Sequence, residues 1–420
     1  MIKTKPRGTF ANLVAASGFA NLADGIATVV WIWLATLITR DPALVSLVPV
    51  AVRLPWFLFA VPAGILSDRM DRRQLVLTMD ALRALSFCLV ALCIWTMMPL
   101  DPPSESGLDR PGLYFAVIAA ALMAGVAEVF RDTAAQTILP GIVPQDRLEW
   151  ANGRLWSVEL TGNMLVGPAL GAFLIAAAPF LPFAINAVGY AIAALLMMQI
   201  SGRCRTLVPE TRNWRRELGE GFAFLRTAPL LRLLAYVTGA WNLLFQMVFV
   251  ALFLHAQENI GIGATSFGVV VATGAVGGIL GGLCGDWIIR RFGPGCTAAW
   301  MLFASAPAFL AIAFAPTAIS LAVVLFLFEF SGLVWNTVSV SYRQRVIPNA
   351  LLGRVSSLYR LFAWGMMPVG LLLSGLIVKT AENVVTRDLA LIMPFLVAGT
   401  GALLLSMVAS RPLWRAFDSR

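Results

Sequence analysis

The residues that can do chemistry in this chain are a few charged and amide side chains set inside long apolar runs. Asp24, Glu159 and Glu329 are carboxylates that can take up and release a proton, and Arg53 is a cation that can pair with a carboxylate. A charge near the centre of a bilayer costs about 2.5–3.5 kcal/mol even on insertion scales, so such residues are functional candidates by default. The chemistry that they indicate is proton transfer or the binding of a charged substrate.

Asp24 and Arg53 are predicted to lie at similar depth in two consecutive apolar runs. At about 1.5 Å per residue, Asp24 is about 18 Å deep and Arg53 about 20 Å deep. Consecutive spans are antiparallel neighbours, so we expect the two side chains to meet. Two interpretations stay open: a structural ion pair, and a titratable or substrate-contacting pair in which protonation of Asp24 releases Arg53.

The other candidates each carry a structural alternative. Glu329, about 16 Å deep at the same helix rise, is a second candidate for a proton or cation site, with a buried structural role equally open. Glu159 is either a gate or proton residue or an interfacial carboxylate. Asn242 and Gln246 are four residues apart on one helix face, where amides hydrogen-bond a substrate or join helices.

Two further charge pairs are predicted to be structural. Asp80 with Arg83, and Glu128 with Arg131, are each three residues apart within an apolar run. Residues at this spacing are neighbours on a helix surface.

The sequence does not indicate metal or cofactor chemistry. It has one histidine, His255, and five cysteines without the paired spacing of a zinc site. It also lacks the glycine–lysine motif that cradles nucleotide phosphates, so we predict no cofactor and a proton gradient as the energy source. An intramembrane enzyme is a second alternative. It is remote, because such an enzyme would need a nucleophile or an acid beside its histidine, and His255 has neither.

Composition places the chain in a membrane. Apolar residues make up 59% of it and charged residues 13%, with a mean hydropathy of +0.82, whereas soluble domains carry about a quarter charged residues. A spanning helix needs about 20 mostly apolar residues. Twelve candidate spans follow: 10–38, 43–66, 74–98, 112–133, 152–177, 180–200, 231–256, 263–288, 296–315, 317–341, 353–378 and 389–410.

The basic residues predict the orientation. Most of the 31 Lys and Arg fall in the termini and in alternate loops, while the opposite face has only Arg40, Arg110, Lys379 and Arg387. Cytoplasmic loops are rich in Lys and Arg, so we expect both termini in the cytoplasm and the protein in the inner or plasma membrane. The net charge of +9 is therefore a topology signal and does not indicate nucleic-acid binding.

The chain is predicted to consist of two related halves. Residues 64–73 and 282–291 share the pattern Gly-x-x-x-Asp-x-x-x-Arg-Arg. We expect an N-terminal six-helix bundle (1–200), a cytoplasmic amphipathic linker (201–230) and a C-terminal six-helix bundle (231–420). Such repeats, joined by a linker, are typical of secondary transporters.

At these motifs the sequence resembles the major facilitator superfamily. The first loop is similar to that family's signature between its second and third spans, with Gly64, Asp68, Arg69, Arg72 and Arg73 in place and Asp71 where glycine is usual. In the fifth span, Gly162, Gly167, Pro168 and Gly171 resemble the glycine–proline signature of proton-coupled exporters. Residues 139–152 and 219–231 look like the branch with macrolide-efflux proteins and the enterobactin exporter. The fourth span lacks the arginine of many drug–proton antiporters, a departure that questions the usual coupling scheme.

The resemblance implies roles for these loops. Asp68 would cap the start of the eleventh span and meet Arg360, or alternatively Arg354, while Arg72 would bridge to Asp132. In the second copy Gly282, Asp286, Arg290 and Arg291 match, but Arg343 and Arg345 stand where an acid is expected, so this latch should be weaker. Gly162, Gly167 and Gly171 with Pro168 would form an exporter-type gate, the alternative being ordinary small-residue packing.

The sequence as a whole predicts an all-helical secondary transporter that exports an amphipathic organic molecule, such as a drug or siderophore, in exchange for protons. Its partners would be this small molecule and membrane lipids, and it would work as a monomer. The alternative is an importer or a lysophospholipid or lipid transporter on the same fold.

Overall fold

A computed structural model describes residues 6–104, 107–135, 138–139, 142–144, 147–200, 214–347 and 352–418. In this described part the secondary structure is helical, without strands. The chain separates into two compact units, Met1–Glu210 and Thr211–Arg420.

The first unit contains six apolar helical runs. The fifth run is interrupted by one π-helical turn between two α-helices. The elements are α1 (Pro6–Ile38), α2 (Pro42–Arg69), α3 (Arg72–Thr96), α4 (Pro111–Ala135), α5 (Leu148–Leu160), the π-helical segment (Thr161–Val166), α6 (Gly167–Ala177) and α7 (Leu181–Met198).

The second unit begins with a short helix and continues with six apolar runs, the fifth of which is divided between two helices. The elements are α8 (Trp214–Thr227), α9 (Pro229–Glu258), α10 (Ala264–Phe292), α11 (Pro294–Ala313), α12 (Ala318–Val346), α13 (Leu352–Trp364), α14 (Met367–Ala381) and α15 (Arg387–Asp418).

Twelve helical runs in the described chain are long and apolar enough to cross a membrane. Most of them begin and end within a few residues of the predicted spans, and the helix that opens the eleventh begins at Leu352, next to the predicted 353. The prediction of twelve spans is confirmed, and the protein is a multi-pass membrane protein. The cytoplasmic location of the termini stays a prediction.

Acidic caps define where two of these helices begin. The carboxylate of Asp41 accepts hydrogen bonds from the N–H groups of Ala43 (3.0 Å) and Leu44 (3.4 Å) at the start of α2. Asp71 accepts from the N–H groups of Arg73 (2.9 Å) and Gln74 (3.3 Å) at the start of α3. The first N–H groups of a helix have no partner within the helix, and an acidic side chain satisfies them. Asp71 therefore has a structural task at the position where glycine was expected.

The loop between α3 and α4 is held by its own polar residues. Asp109 accepts hydrogen bonds from the Ser104 N–H (2.7 Å) and hydroxyl (2.9 Å), and these bonds lower the pKa of the Asp109 carboxyl. Arg110 pairs with Asp101 at 2.6 Å. Two acids of this loop, Asp101 and Asp109, thus have defined partners.

The two units repeat one pattern of helix contacts. In the first unit α2 packs against α4, α3 against α7, and α1 against the fifth span. In the second unit α10 packs against α12, α11 against α15, and α9 against α13 and α14. Counted by span, these are the same three pairs, as expected of a duplicated half.

Glycine permits backbone contact within the same helix pair of both units, although it lies on opposite members of that pair. A Cβ on Gly125 of α4 would lie 2.3 Å from the carbonyl oxygen of Val52 in α2. A Cβ on Gly277 of α10 would lie 2.1 Å from the carbonyl oxygen of Phe326 in α12. Both helix pairs therefore need a residue without a side chain at the contact.

Candidate functional site

In the first unit, Asp24 lies in an ion-pair network that joins three spans. Its carboxylate contacts the guanidinium of Arg83 from α3 and accepts a hydrogen bond from the Tyr190 hydroxyl of α7 at 2.8 Å. Arg83 also donates to that hydroxyl at 2.9 Å and lies over the ring, 4.0 Å from its centroid. Arg83 is 1% exposed and the Asp24 side chain 15%, so the ion pair is largely shielded from solvent. The site neutralises Asp24 with a cation that is already in place.

The network continues to α4 through Asp80. Its carboxylate oxygen lies 3.6 Å from Arg83 Nη1 and 3.4 Å from Arg131 Nε, and Asp80 is fully buried. Arg131 also donates to Asp132 at 2.9 Å. Two guanidiniums thus serve the three carboxylates of Asp24, Asp80 and Asp132.

The expected pair of Asp24 and Arg53 is wrong. Arg53 Nη1 lies 3.5 Å from Glu128 Oε1, which also accepts a hydrogen bond from Trp56 Nε1 at 3.2 Å. The reason is the direction of each side chain around its helix axis: α2 packs against α4, so Arg53 meets a residue of α4. The Glu128–Arg131 pair is also not formed, whereas the Asp80–Arg83 pair is present.

Glu329 is a mid-span candidate carboxylate that has no cation among the described residues. It lies in the middle of α12 on the side that faces Gly274 and Gly278 of α10: a Cβ on Gly274 would be 3.5 Å from its Cγ. Within the described chain it makes neither an ion pair nor a hydrogen bond, and it is half-buried. An ionised carboxylate in hydrocarbon needs a partner or water, whereas the protonated acid does not carry that charge.

Phe328, the residue before Glu329 in α12, is the centre of an aromatic cluster. The ring of Phe328 stacks on Trp241 (centroids 5.8 Å apart) and Phe245 (5.7 Å) of α9, and contacts Phe309 of α11 at 5.1 Å. Trp241 and Phe245 are parallel to within 7° and are only partly buried. They present flat apolar surface near the middle of α9.

The two amides of α9 face the eleventh span. Asn242 donates to the carbonyl of Ala363 in α13 at 2.8 Å and is 7% exposed. Gln246 is equally buried and lies beside Gly370 of α14. For Asn242 the structure shows the helix-joining alternative of the two that the sequence left open.

The glycine–proline signature of the fifth span forms a backbone contact with α1. The Gly167 N–H bonds to the carbonyl of Gly162, five residues earlier, which closes the π turn. Pro168 follows directly; a proline has no N–H and its ring crowds the carbonyl four residues before it, so a widened turn suits this position. A Cβ on Gly171 would lie 2.8 Å from the carbonyl of Ile26. Glu159 lies about one turn before Gly162, the first residue of the glycine–proline signature, and is exposed.

Gly167→Ala should separate α1 from the fifth span. The added Cβ would lie 2.4 Å from the Gly162 oxygen and 2.6 Å from Gly25 Cα, distances that force the backbones apart. Overpacking of this kind costs about 1–3 kcal/mol. We expect a lower melting temperature in detergent by fluorescence-detected thermal unfolding. Gly153→Ala, on α5 with no described atom within 4 Å of the new Cβ, is the control and should melt as the wild type does. Equal melting of both variants would contradict the contact.

The signature loops are described only in part. The side chains of Asp68, Arg343, Arg345, Arg354 and Arg360 lie outside the described residues, so the predicted caps on the eleventh span stay predictions. Among the residues that are described, Asp132 pairs with Arg131 and not with Arg72, because Arg131 is its sequence neighbour and lies within 2.9 Å.

The remaining described residues of these loops form contacts within their own unit or are exposed. Arg73 donates to the carbonyl of Met197 at 3.1 Å and to that of Met198, at the end of α7 where helix carbonyls lack partners. In the second copy Asp286 and Arg290 pair on one face of α10. Arg69, Arg291 and Gly282 are exposed, and a Cβ on Gly64 or Gly282 would meet no described atom within 4 Å.

Sequence reasoning missed Arg83, Tyr190 and Arg131 as members of the Asp24 site. The available signal was depth: Asp80 and Arg83 are near the middle of α3, and Tyr190 is at the middle of α7. Counting residues from the helix ends would have placed these side chains at a membrane depth similar to that of Asp24. The spacing of Asp80 and Arg83 alone indicates only a local pair on one helix.

A family model, known relatives and solved structures all match this chain, and their results agree with one another. A family model for the Major Facilitator Superfamily matches residues 13–371. Enterobactin exporter EntS of Escherichia coli O1:K1 / APEC is 24% identical over 307 residues, 72% of this chain and 69% of that protein. Macrolide efflux protein A of Enterococcus faecalis is 26% identical over 249 residues, 56% of this chain and 70% of that protein. The crystal structure of a bacterial homologue of the iron transporter ferroportin, in its inward-facing state, has a TM-score of 0.72 at 16% identity and covers 99% of this chain and 98% of that one.

Proposed function

Because the chain belongs to the Major Facilitator Superfamily, we propose that it is a secondary active exporter of an amphipathic organic molecule, driven by proton exchange across the inner or plasma membrane. The family resemblance of its motifs is thereby confirmed, and family and fold point to a transporter rather than an enzyme. Transporters built from two repeats work by alternating access.

Glu329 carries the proposal of proton coupling. In the described chain it is a mid-span carboxylate without a cation, while Asp24 already has Arg83 as its counter-ion. A carboxylate that gains and loses a proton changes its charge, and at membrane depth that change must alter the helix contacts around it. Glu329 faces two glycines of α10, where the absence of side chains leaves room for the acid to move. Asp24 then serves as a fixed ion pair that holds α1, α3 and α7 together.

Export and an amphipathic substrate are supported by two separate observations. The relatives described above are an enterobactin exporter and a macrolide efflux protein, at low identity. The partly buried rings of Trp241 and Phe245 offer flat apolar surface of the kind that lines small-molecule sites. Together they favour a large molecule with an apolar face over a small ion.

Everted membrane vesicles test the function. Vesicles with and without the protein are energised to an acidic interior and supplied with a macrolide, a catecholate siderophore, a cationic dye or a fluorescent lysophospholipid. We expect accumulation of a drug, siderophore or dye that a protonophore abolishes. Accumulation of the lysophospholipid alone would support the lipid-transporter alternative. Uptake only into right-side-out vesicles would show an importer and overturn the export proposal.

A further inference from the structure

Between α8, α9 and α13 the second unit contains a cleft of about 210 Å³ that the transport proposal does not use. It is called the α8 cleft here, and its wall includes Phe222 and Arg226 of α8, Arg232 and Tyr236 of α9, and Phe362 of α13. Its volume is below the 300–1,000 Å³ usual for sites that enclose a drug-sized ligand. The cleft therefore suits one end of a larger molecule.

The α8 cleft has two cations without an acid. In the described structure neither the Arg226 nor the Arg232 guanidinium makes an ion pair or a hydrogen bond, and the lining contains no carboxylate. Glu220, the described acid of α8, lies six residues before Arg226 and outside the lining. Guanidinium groups bind phosphate through paired N–H donors. The two guanidinium groups therefore give the cleft the chemistry of a phosphate-binding site.

The rest of the cleft is apolar and open to the side. Tyr236 is 64% exposed and Phe222 47%, and the Tyr236 ring contacts that of Phe362 edge to face at 6.3 Å. Tyr236 lies one helical turn farther into the seventh span than Arg232, about 6 Å by helix rise. A phosphate at the arginines would therefore place an attached hydrocarbon chain along the aromatic rings.

The position of α8 is fixed by its apolar side. Leu225, 4% exposed, belongs to the buried core of the second unit together with Leu231 and Leu234, and Phe224 packs against that core. Arg226 is adjacent to Leu225 and is exposed. The helix therefore holds a cation at the start of a membrane span, on the face that the Lys and Arg distribution predicts to be cytoplasmic.

We propose that the α8 cleft binds the headgroup of an anionic glycerophospholipid of the cytoplasmic leaflet, with Arg226 and Arg232 on the phosphate and Tyr236, Phe222 and Phe362 against the first carbons of the acyl chains. Anionic lipids are attracted to basic groups at this surface. Such a lipid fixes the linker helix to the membrane.

Lipid binding is measured on the full chain in a neutral detergent, so the assay has no transport step and its outcome is independent of the exporter proposal. The protein is titrated with dihexanoyl phosphatidylglycerol, dihexanoyl phosphatidylcholine or inorganic phosphate, and bound molecules are counted by native mass spectrometry. At about fivefold per guanidinium, Arg226→Gln with Arg232→Gln should raise the phosphatidylglycerol Kd about twenty-five-fold. Tyr236→Ala should weaken phosphatidylglycerol binding too.

Arg411→Gln with Arg415→Gln, two exposed arginines of α15, is the matched control and should bind as the wild type does. Unchanged phosphatidylglycerol affinity in the Arg226 and Arg232 double variant would overturn the proposal. Equal affinity of the wild type for phosphatidylcholine would also overturn it. Binding of inorganic phosphate as tight as that of phosphatidylglycerol would show a soluble-anion site and exclude the lipid.

Discussion

Glu329→Gln should abolish proton-driven transport and leave the protein folded. Glutamine has nearly the same shape as glutamate but cannot take up or release a proton, and the position has no cation in the described chain to be left unpaired. We expect accumulation in energised vesicles to fall to the level of vesicles without the protein. Melting in detergent should be equal to or higher than that of the wild type, because the change removes a carboxylate without a partner.

A second readout separates coupling from substrate binding in the Glu329 variant. Exchange of labelled for unlabelled substrate without a proton gradient requires binding and alternating access but no net proton movement, so Glu329→Gln should retain it. Asp388→Asn, a carboxylate change at the start of α15, is the control and should retain both activities. Full proton-driven accumulation by Glu329→Gln would show that another group carries the proton.

Arg83→Met should destabilise the first unit more than any other single change considered. The substitution keeps an apolar stem but leaves the partly buried Asp24 without its cation, and Tyr190 without one of its hydrogen-bond partners. Breaking a buried ion pair on one side costs about 3–5 kcal/mol. The measurement is thermal or denaturant unfolding in detergent, and Arg415→Met, at an exposed site, should shift stability by at most about 0.5 kcal/mol.

The paired variant makes the Arg83 experiment decisive. Asp24→Asn with Arg83→Met removes both charges, so most of the lost stability should return, because replacing a whole buried pair is often neutral. An Arg83→Met protein as stable as the wild type would mean that Arg83 does not neutralise Asp24. A double variant no better than Arg83→Met would mean that the guanidinium acts through Asp80 instead.

The number of spans and the family were predictable from sequence, because hydrophobic length and short loop motifs are local properties. The partner of Asp24 was not. Helix rise gives the depth of Asp24 and Arg53, but each residue also turns by about 100° around the helix axis. Which neighbouring helix a side chain meets depends on that angle and on which spans pack together. The packing of α2 on α4 directed Arg53 to Glu128, and the packing of both α1 and α3 on α7 left Asp24 to Arg83.

The two repeats differ in how they satisfy polar groups. In the first unit charged residues of α1, α3 and α4 neutralise one another. In the second unit, the Tyr359 hydroxyl of α13 lies 2.8 Å from Thr238 Oγ1 of α9 and 3.2 Å from Ser339 Oγ of α12, so neutral hydroxyls join these three helices. A duplicated fold thus retained its packing while its polar chemistry diverged, and sequence symmetry between the halves does not transfer a residue's role.

The π turn before Pro168 has a consequence for chain length. A π turn holds one more residue than an α-helical turn over nearly the same rise. Removal of one residue from Thr161–Val166 would leave the faces of α5 and α6 in their present alignment, whereas a deletion elsewhere in the fifth span would rotate one part against the other by about 100°. This segment is therefore the point at which the span can differ by one residue from a related protein without turning Glu159 relative to Gly171.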